Sequence, residues 1–202
     1  MTTGARRQRL SADQRREQIV AATVAVLADS GYPAASADAI ARAAGVSKGL
    51  LWHYFGSQDE LMVETARRLL IGLRHAVGDA IDLTAPAPTV VRAAIHGAAG
   101  LLRTHGAERR ALDAIITNLR TADGASMLTL DDYDDTYASQ EAIFRRGQDD
   151  GDFRADHDPR LLAVTYQGAV DSMLNYLEVH SELDARAYAD LVADVLLDGM
   201  RS

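Results

Sequence analysis

Between Ser36 and Phe55 the chain reads SADAIARAAGVSKGLLWHYF, two short helical patterns separated by one glycine. Ala37, Ile40, Ala41 and Ala44 fall at i, i+3, i+4 and i+7, so they share one face of a helix barely two turns long. That face must pack on another element. Ser36 stands where an N-cap belongs, and Gly45 stands where a left-handed residue ends a helix. Ser47 then caps a second helix, with Leu51 and Phe55 turning inward beside Val46. Lys48, Gly49, Leu50, Trp52, His53 and Tyr54 remain outward. A cation, a glycine that permits close approach and three ring-borne N–H or O–H donors suit a DNA groove and its phosphates. The same pattern also fits an ordinary helical hairpin whose aromatics are core, so the rest of the chain has to decide.

The 202 residues can bury a real core without staples, and the absence of cysteine excludes disulfides and thiolate metal sites. The Arg-rich N-terminus is not followed by an apolar run, and no run approaches the roughly 20 residues of a membrane span. The expectation is a soluble, cytoplasmic protein with no membrane partner. A net charge of -8 argues against a nucleic-acid partner until its distribution is considered. Through Phe55 there are seven Lys and Arg against four Asp and Glu, and beyond it fourteen against twenty-five. The basic part is the part that contains the hinged pair.

No period-2 run bounded by turn residues is evident, and alanine and leucine dominate, so the fold class expected is all-α with about nine helices. Arg6, Arg7 and Arg9 form a basic arm, either a solvated tail or a strand along a phosphate backbone. Ser11 and Gln14 have capping-box spacing, and Ile19, Ala22, Thr23, Val26 and Leu27 trace a stripe to Gly31. Ser57 and Glu60 repeat the box, after which Leu61, Thr65, Leu69, Leu73, Val77 and Ile81 predict a helix over about 58–82, ended by Pro86 and Pro88. Further helices are expected over Val90 to His105, Glu108 to Leu119 and Met127 to Gln148. Asp131, Asp132, Asp134 and Asp135 read as a solvated face favoured at a helix N-terminus, not as a metal site. Asp158 with Pro159 opens a helix to about His180, and the last runs over about 184–200. This final pair is apolar on more than one face, and the small residues Gly168, Ala169 and Ser172 permit close helix approach, which points to a homodimer through the last two helices.

From Arg16 the sequence REQIVAATVAVLADSGYPAASADAIARAAGVSKGLLWHYFGSQDELM resembles the N-terminal domain of the tetracycline-repressor (TetR) family of bacterial transcription regulators. The resemblance covers about a quarter of the chain with unbroken spacing; the remainder is similar only in helix order and in the turn GDFRADHDP. It implies a helix-turn-helix DNA-binding domain over 1–56 and an effector-binding and dimerisation domain over 57–202. The implied partners are a double-stranded palindromic operator and a small-molecule effector, with no cofactor and no catalysis. By position, Ser36 and Ser47 resemble phosphate contacts or caps, Lys48, Gly49 and Leu50 the base-facing group, and Trp52, His53 and Tyr54 the grip on flanking phosphates. Two residues depart from the pattern, Trp52 for a usual tyrosine and Gln58 for a usual lysine. An indole N–H still serves a phosphate, but Gln58 removes a cation and lowers the salt slope by roughly 0.9.

For the effector, Gln167, Asp171 and Asn175 are spaced by four and form one polar stripe along an apolar helix, suited to a pocket, a wet face or a dimer contact. Tyr133, Tyr137 and Asn118 beside Thr117 are further candidates. The acidic balance of this part favours a cationic or neutral small molecule. Two rival classes stay in view: a helical metal- or carboxylate-dependent enzyme, and a helix-turn-helix activator or scaffold without an effector. Against the enzyme, the chain contains neither HExxH nor a Glu-x-x-His pair.

Overall fold

Ser11 Oγ accepts the Gln14 N–H at 3.1 Å while Gln14 Oε1 takes the Ser11 N–H at 2.9 Å, and this reciprocal box opens the first helix. The computed structural model describes residues 10–201, so the Arg6, Arg7 and Arg9 arm lies outside the described residues. Among those described, the chain is all-α. Its helices are α1 (Ala12–Ser30), α2 (Ala37–Ala44), α3 (Lys48–Tyr54), α4 (Gln58–Gly78), α5 (Ala87–Thr104), α6 (Gly106–Asn118), α7 (Asp134–Asp149), α8 (Pro159–Val179) and α9 (Ala185–Met200), with 3-10 turns at Tyr32–Ala34 and Leu130–Tyr133. The extended structure described is limited to two isolated bridges, Arg120 with Ser126 and Phe153 with Arg201.

Three elements differ from the sequence expectation, each for a local reason. α4 stops at Gly78 instead of continuing to 82, and Asp82 instead accepts the Thr84 N–H at 2.9 Å in a turn. Pro86 and Pro88 do not terminate α4; they open α5, with Pro86 at the N-cap and Pro88 in the first turn, where no backbone N–H is required. The helix expected from Met127 begins only at Asp134, because Asp132 turns back to take the Thr129 N–H at 2.7 Å and ties to Arg67 at 2.6 Å. Asp132 is therefore not solvated; its side chain is 4% exposed. At α4, Ser57 caps the Glu60 N–H, but the Glu60 carboxylate takes the N–H of Gly56, so the box is displaced by one residue.

Two buried clusters organise the helices. The first joins Ile19, Val20 and Leu27 of α1, Ile40, Ala41 and Ala44 of α2, Leu51 and Phe55, the first half of α4 and, from α6, Ala111, Leu112 and Ile115. Full burial of Phe55 alone contributes about 2–3 kcal/mol. The second joins α5, α7, α8 and α9 around Phe144, Phe153 and Tyr166. The first cluster crosses residue 57, so α4 and α6 are part of the floor on which the hinged pair rests. At α7, Gly147 lies against Phe153 and Ala87 so closely that a Cβ would overlap the ring.

One stripe belongs to neither cluster. Leu161, Val164, Tyr176 and Val179 on α8, with Leu191 and Val195 on α9, stay 42–77% exposed. Gly168 and Ser172 are exposed on the same turns of α8.

Candidate functional site

The hinged pair is held by side chains from α1. α2 ends at Gly45, whose φ of 65° and ψ of 32° are left-handed, and the carbonyl of Ala44 accepts from Gln18 Nε2 at 2.7 Å. α3 is finished in the same way: Arg16 Nη1 donates to the Tyr54 carbonyl at 2.7 Å, and its guanidinium lies 4.5 Å from the centroid of Phe55. Arg16 and Gln18 were not singled out from the sequence, since a cap supplied by another helix has no fixed spacing. At the far end Gln58 Nε2 donates to the Ala35 carbonyl at 3.1 Å, tying the start of α4 to the turn before α2. The lysine that the family pattern has at this position is thus replaced by a structural tether.

Ser36 and Ser47 are exposed caps, accepting from the Ala39 and Leu50 N–H groups at 3.3 and 3.1 Å. Lys48 and Gly49 are exposed at the start of α3, and nothing lies within 4 Å of a Cβ placed on Gly49. Lys48 Nζ is 2.9 Å from Asp38 Oδ2 on α2. His53 is exposed and meets Tyr54 edge-on at 5.2 Å. Leu50, Trp52 and Tyr54 are half-buried, and the two aromatics pack partly on the first cluster. The aromatics therefore divide between core and surface.

A second site lies between the middle helices, a cavity of about 930 Å³ walled by α4, α5, α6, α7 and α8. Its size is that of a pocket for a drug-sized molecule. Most of its wall is apolar, from Leu70, Leu73 and Val77 through Val90, Ala94 and Leu101 to Ile143 and Leu174. Five of the sequence candidates, Tyr133, Tyr137, Gln167, Asp171 and Asn175, line it together. Asn118 does not: it is exposed and its Nδ2 donates to Ala114 O of its own helix, because the residue stands at the last turn of α6 on the outer face.

The polar wall has a defined order. Gln140 Nε2 donates to Gln167 Oε1 at 2.6 Å, and Gln167 Nε2 donates to Asp171 Oδ1 at 3.0 Å. Arg109, 5% exposed, donates to Asp113 at 2.6 Å and to Asn175 Oδ1. Burial pushes the Asp113 carboxyl up to about 6, Arg109 opposing and the charges of Glu178 and Asp171 adding. Burial likewise raises Asp171, against the pull of Gln167 and Arg109, and lifts Tyr133 to about 12 with Asp171 the next cause. Tyr137 and Tyr166 shift upward for the same two reasons. Arg109, Asp113, Gln140 and Tyr166 were missed in the sequence. The signal for Arg109 and Asp113 was their i, i+4 spacing on the helix expected over 108–119.

A three-helix unit with α3 presented outward, joined by one long helix to a cavity-bearing helical domain, defines the helix-turn-helix class of DNA-binding proteins. Residues 19–65 match the model described as bacterial regulatory proteins, tetR family. It is 44% identical over 63 residues to the HTH-type transcriptional regulator BetI 2 of Chromohalobacter salexigens, covering 31% of this chain and 30% of that one. It is 39% identical over 90 residues to the HTH-type transcriptional activator FasR of Mycolicibacterium smegmatis, 45% of this chain and 41% of that one. The chain thus matches less than half the length of these curated relatives. The whole fold is similar to that of the fatty acid degradation regulator FadR from Bacillus halodurans, with a TM-score of 0.72 at 21% identity over 96% of this chain and 99% of that one. It is also similar to a TetR-like transcriptional regulator from Rhodococcus sp., with a TM-score of 0.66 at 24% identity over 95% and 98%.

Proposed function

We propose that the protein is a ligand-responsive transcriptional repressor that docks as a homodimer on a palindromic operator and is released when a small molecule fills the cavity. The observation that carries this reading is the pair of sites on α4. Its first turn is tied through Gln58 to the turn before α2, and its later residues Leu70, Leu73 and Val77 form the cavity wall. A ligand that spreads the middle helices displaces α4 and with it the DNA-reading unit. Successive major grooves are about 34 Å apart, so a few Å at each end is enough to end simultaneous docking.

The dimer uses the exposed stripe of α8 and α9. A two-fold axis there buries Leu161, Val164, Tyr176, Val179, Leu191 and Val195 in one step, and Gly168 and Ser172 let the helices approach. No step of this mechanism requires bond chemistry. Among relatives, one is named an activator and others simply regulators, so the sign of regulation is part of the proposal.

Gel shift on the DNA upstream of the protein's own coding region tests the reading. Specific retardation at moderate salt, relieved by a small molecule that raises the melting temperature, supports a repressor. Retardation that a stabilising ligand strengthens indicates an activator. No specific retardation at any salt would refute both. Asp171→Ala should alter release without altering ligand-free operator affinity; dissociation of the dimer instead would count against a ligand role for Asp171.

A further inference from the structure

Among the described residues, the Asp171 carboxylate on the polar wall of the cavity makes no ion pair. Asp113 is paired by Arg109, whose remaining bond goes to Asn175. Asp171 receives a single hydrogen bond, from Gln167, and among the described residues no Lys, Arg or His comes within 4.0 Å of it. With Arg109 bonded to Asp113 and Asn175, Asp171 is left on the polar wall with no cation in direct contact. An ionised group facing an apolar space is costly unless something paired with it enters the space.

The hydrogen-bond polarity of the wall agrees. The Asp171 carboxylate needs a donor, so Gln167 presents its Nε2 and leaves Oε1 for Gln140. Gln140 must then present its own Nε2, which leaves its Oε1 as a buried acceptor without a partner. Arg109, more than nine-tenths buried, keeps a partnerless Nε on the same wall. The rings of Tyr133 and Tyr166 stand on the wall with Asp171, and aromatic faces attract cations. Tyr137 already has Arg160 4.9 Å from its ring centroid.

Resting on the effector-cavity reading above, we propose that the cavity takes a protonated amine on an extended apolar body, its ammonium paired with Asp171. From Tyr137 the cavity continues along α7 to Arg146, nine residues on, or roughly 14 Å of helix, past Ile143 and Phe144. This length suits a chain of about ten carbons, at the ~1.3 Å per carbon of extended alkane, in a groove of mostly hydrophobic lining. The cations at the far end are otherwise engaged: Arg146 donates to the carbonyls of Leu83 and Ala85, and Arg74 stands 3.5 Å from the Ser139 hydroxyl.

Three probes of equal chain length separate the head-group chemistry: decylammonium, decan-1-ol and decanoate, each titrated calorimetrically into the full chain at pH 7 and below micelle formation. Decylammonium should bind about tenfold or more tighter than decanol, the worth of one charge-assisted bond. In Asp171→Asn that preference should vanish while decanol affinity stays, which also certifies the fold of the variant. Decanol or decanoate binding as tightly as decylammonium, or an undiminished preference in the variant, overturns the inference and leaves the cavity as an effector site. Binding by none of the three overturns both. Decylammonium that binds through Asp171 but does not release operator DNA upholds the inference and overturns the repressor reading.

Discussion

Lys48 Nζ sits 2.9 Å from Asp38 Oδ2, so the cation at the start of α3 is already paired across the hinge before any DNA arrives. On the proposed function, a DNA contact by Lys48 has to displace Asp38. Both side chains are at least half exposed, and such pairs hold by at most about 1 kcal/mol. Asp38→Ala should therefore raise operator affinity no more than about fivefold, most clearly at low salt. Lys48→Ala should weaken binding and relax sequence preference, whereas Tyr54→Phe should weaken all sequences alike. Competition gel shifts on operator and scrambled DNA read both effects, and the reverse pattern would mean the faces are assigned wrongly.

Arg16 finishes α3 from outside by its bond to the Tyr54 carbonyl and its stacking on Phe55. Arg16→Met keeps the apolar stem and removes the charged donor, at an expected cost of about 1–2 kcal/mol. Thermal unfolding should fall accordingly, with operator affinity falling more than stability because α3 loses its orientation. An unchanged melting temperature would rule out the cap.

Two glycines on helices should respond oppositely to alanine. At Gly147 the added Cβ overlaps the Phe153 ring and lies 2.9 Å from Ala87 Cβ, so Gly147→Ala should destabilise by about 1–3 kcal/mol. At Gly49 nothing lies within 4 Å, and Gly49→Ala should stabilise the free protein by about 0.5–1 kcal/mol while weakening DNA binding. Melting curves and gel shifts of the pair check this.

Asp113 gives stability a pH dependence of definite sign. Its carboxyl is raised from 3.8 to about 6 in the fold, so the folded state holds the proton more tightly than the unfolded chain does. The stabilisation is complete below about 4 and is lost as pH rises through 6. The melting temperature of the wild type minus that of Asp113→Asn should accordingly fall between pH 4 and pH 6 and then level off. A difference that rises over that range would show that Arg109 dominates the site.

Val195 is 65% exposed on α9 within the outward stripe. Val195→Asp should leave the monomer folded and shift sedimentation toward it, with operator affinity dropping because one half-site is lost. Unchanged sedimentation would place the dimer seam elsewhere.

The parts that were legible are those set by neighbours in sequence. Ser11, Ser36, Ser47 and Asp158 cap helices because an oxygen three residues or fewer from a free N–H reaches it in any fold. The spacing of Gln167, Asp171 and Asn175 likewise placed them on one wall. What escaped was decided by distant partners. Asp132 breaks the expected helix by engaging Arg67, 65 residues away, and Arg109 is held by Asn175, 66 residues away. Neither pairing has a local period, and Asn118, read on the same terms as Tyr133, faced outward.

α6 turns Ala111 and Ile115 toward α1 and Arg109, Asp113 and Ile116 toward the cavity, with Arg110 Nε bonded to the Ala28 carbonyl at 3.4 Å. One helix thus walls the cavity and packs under the core that carries α3, and on the proposed function a ligand that shifts it acts on both. By linkage, whatever factor such a ligand takes from operator affinity, the operator takes from the ligand's, so the ligand concentration needed for release would rise with the share of the protein already on DNA.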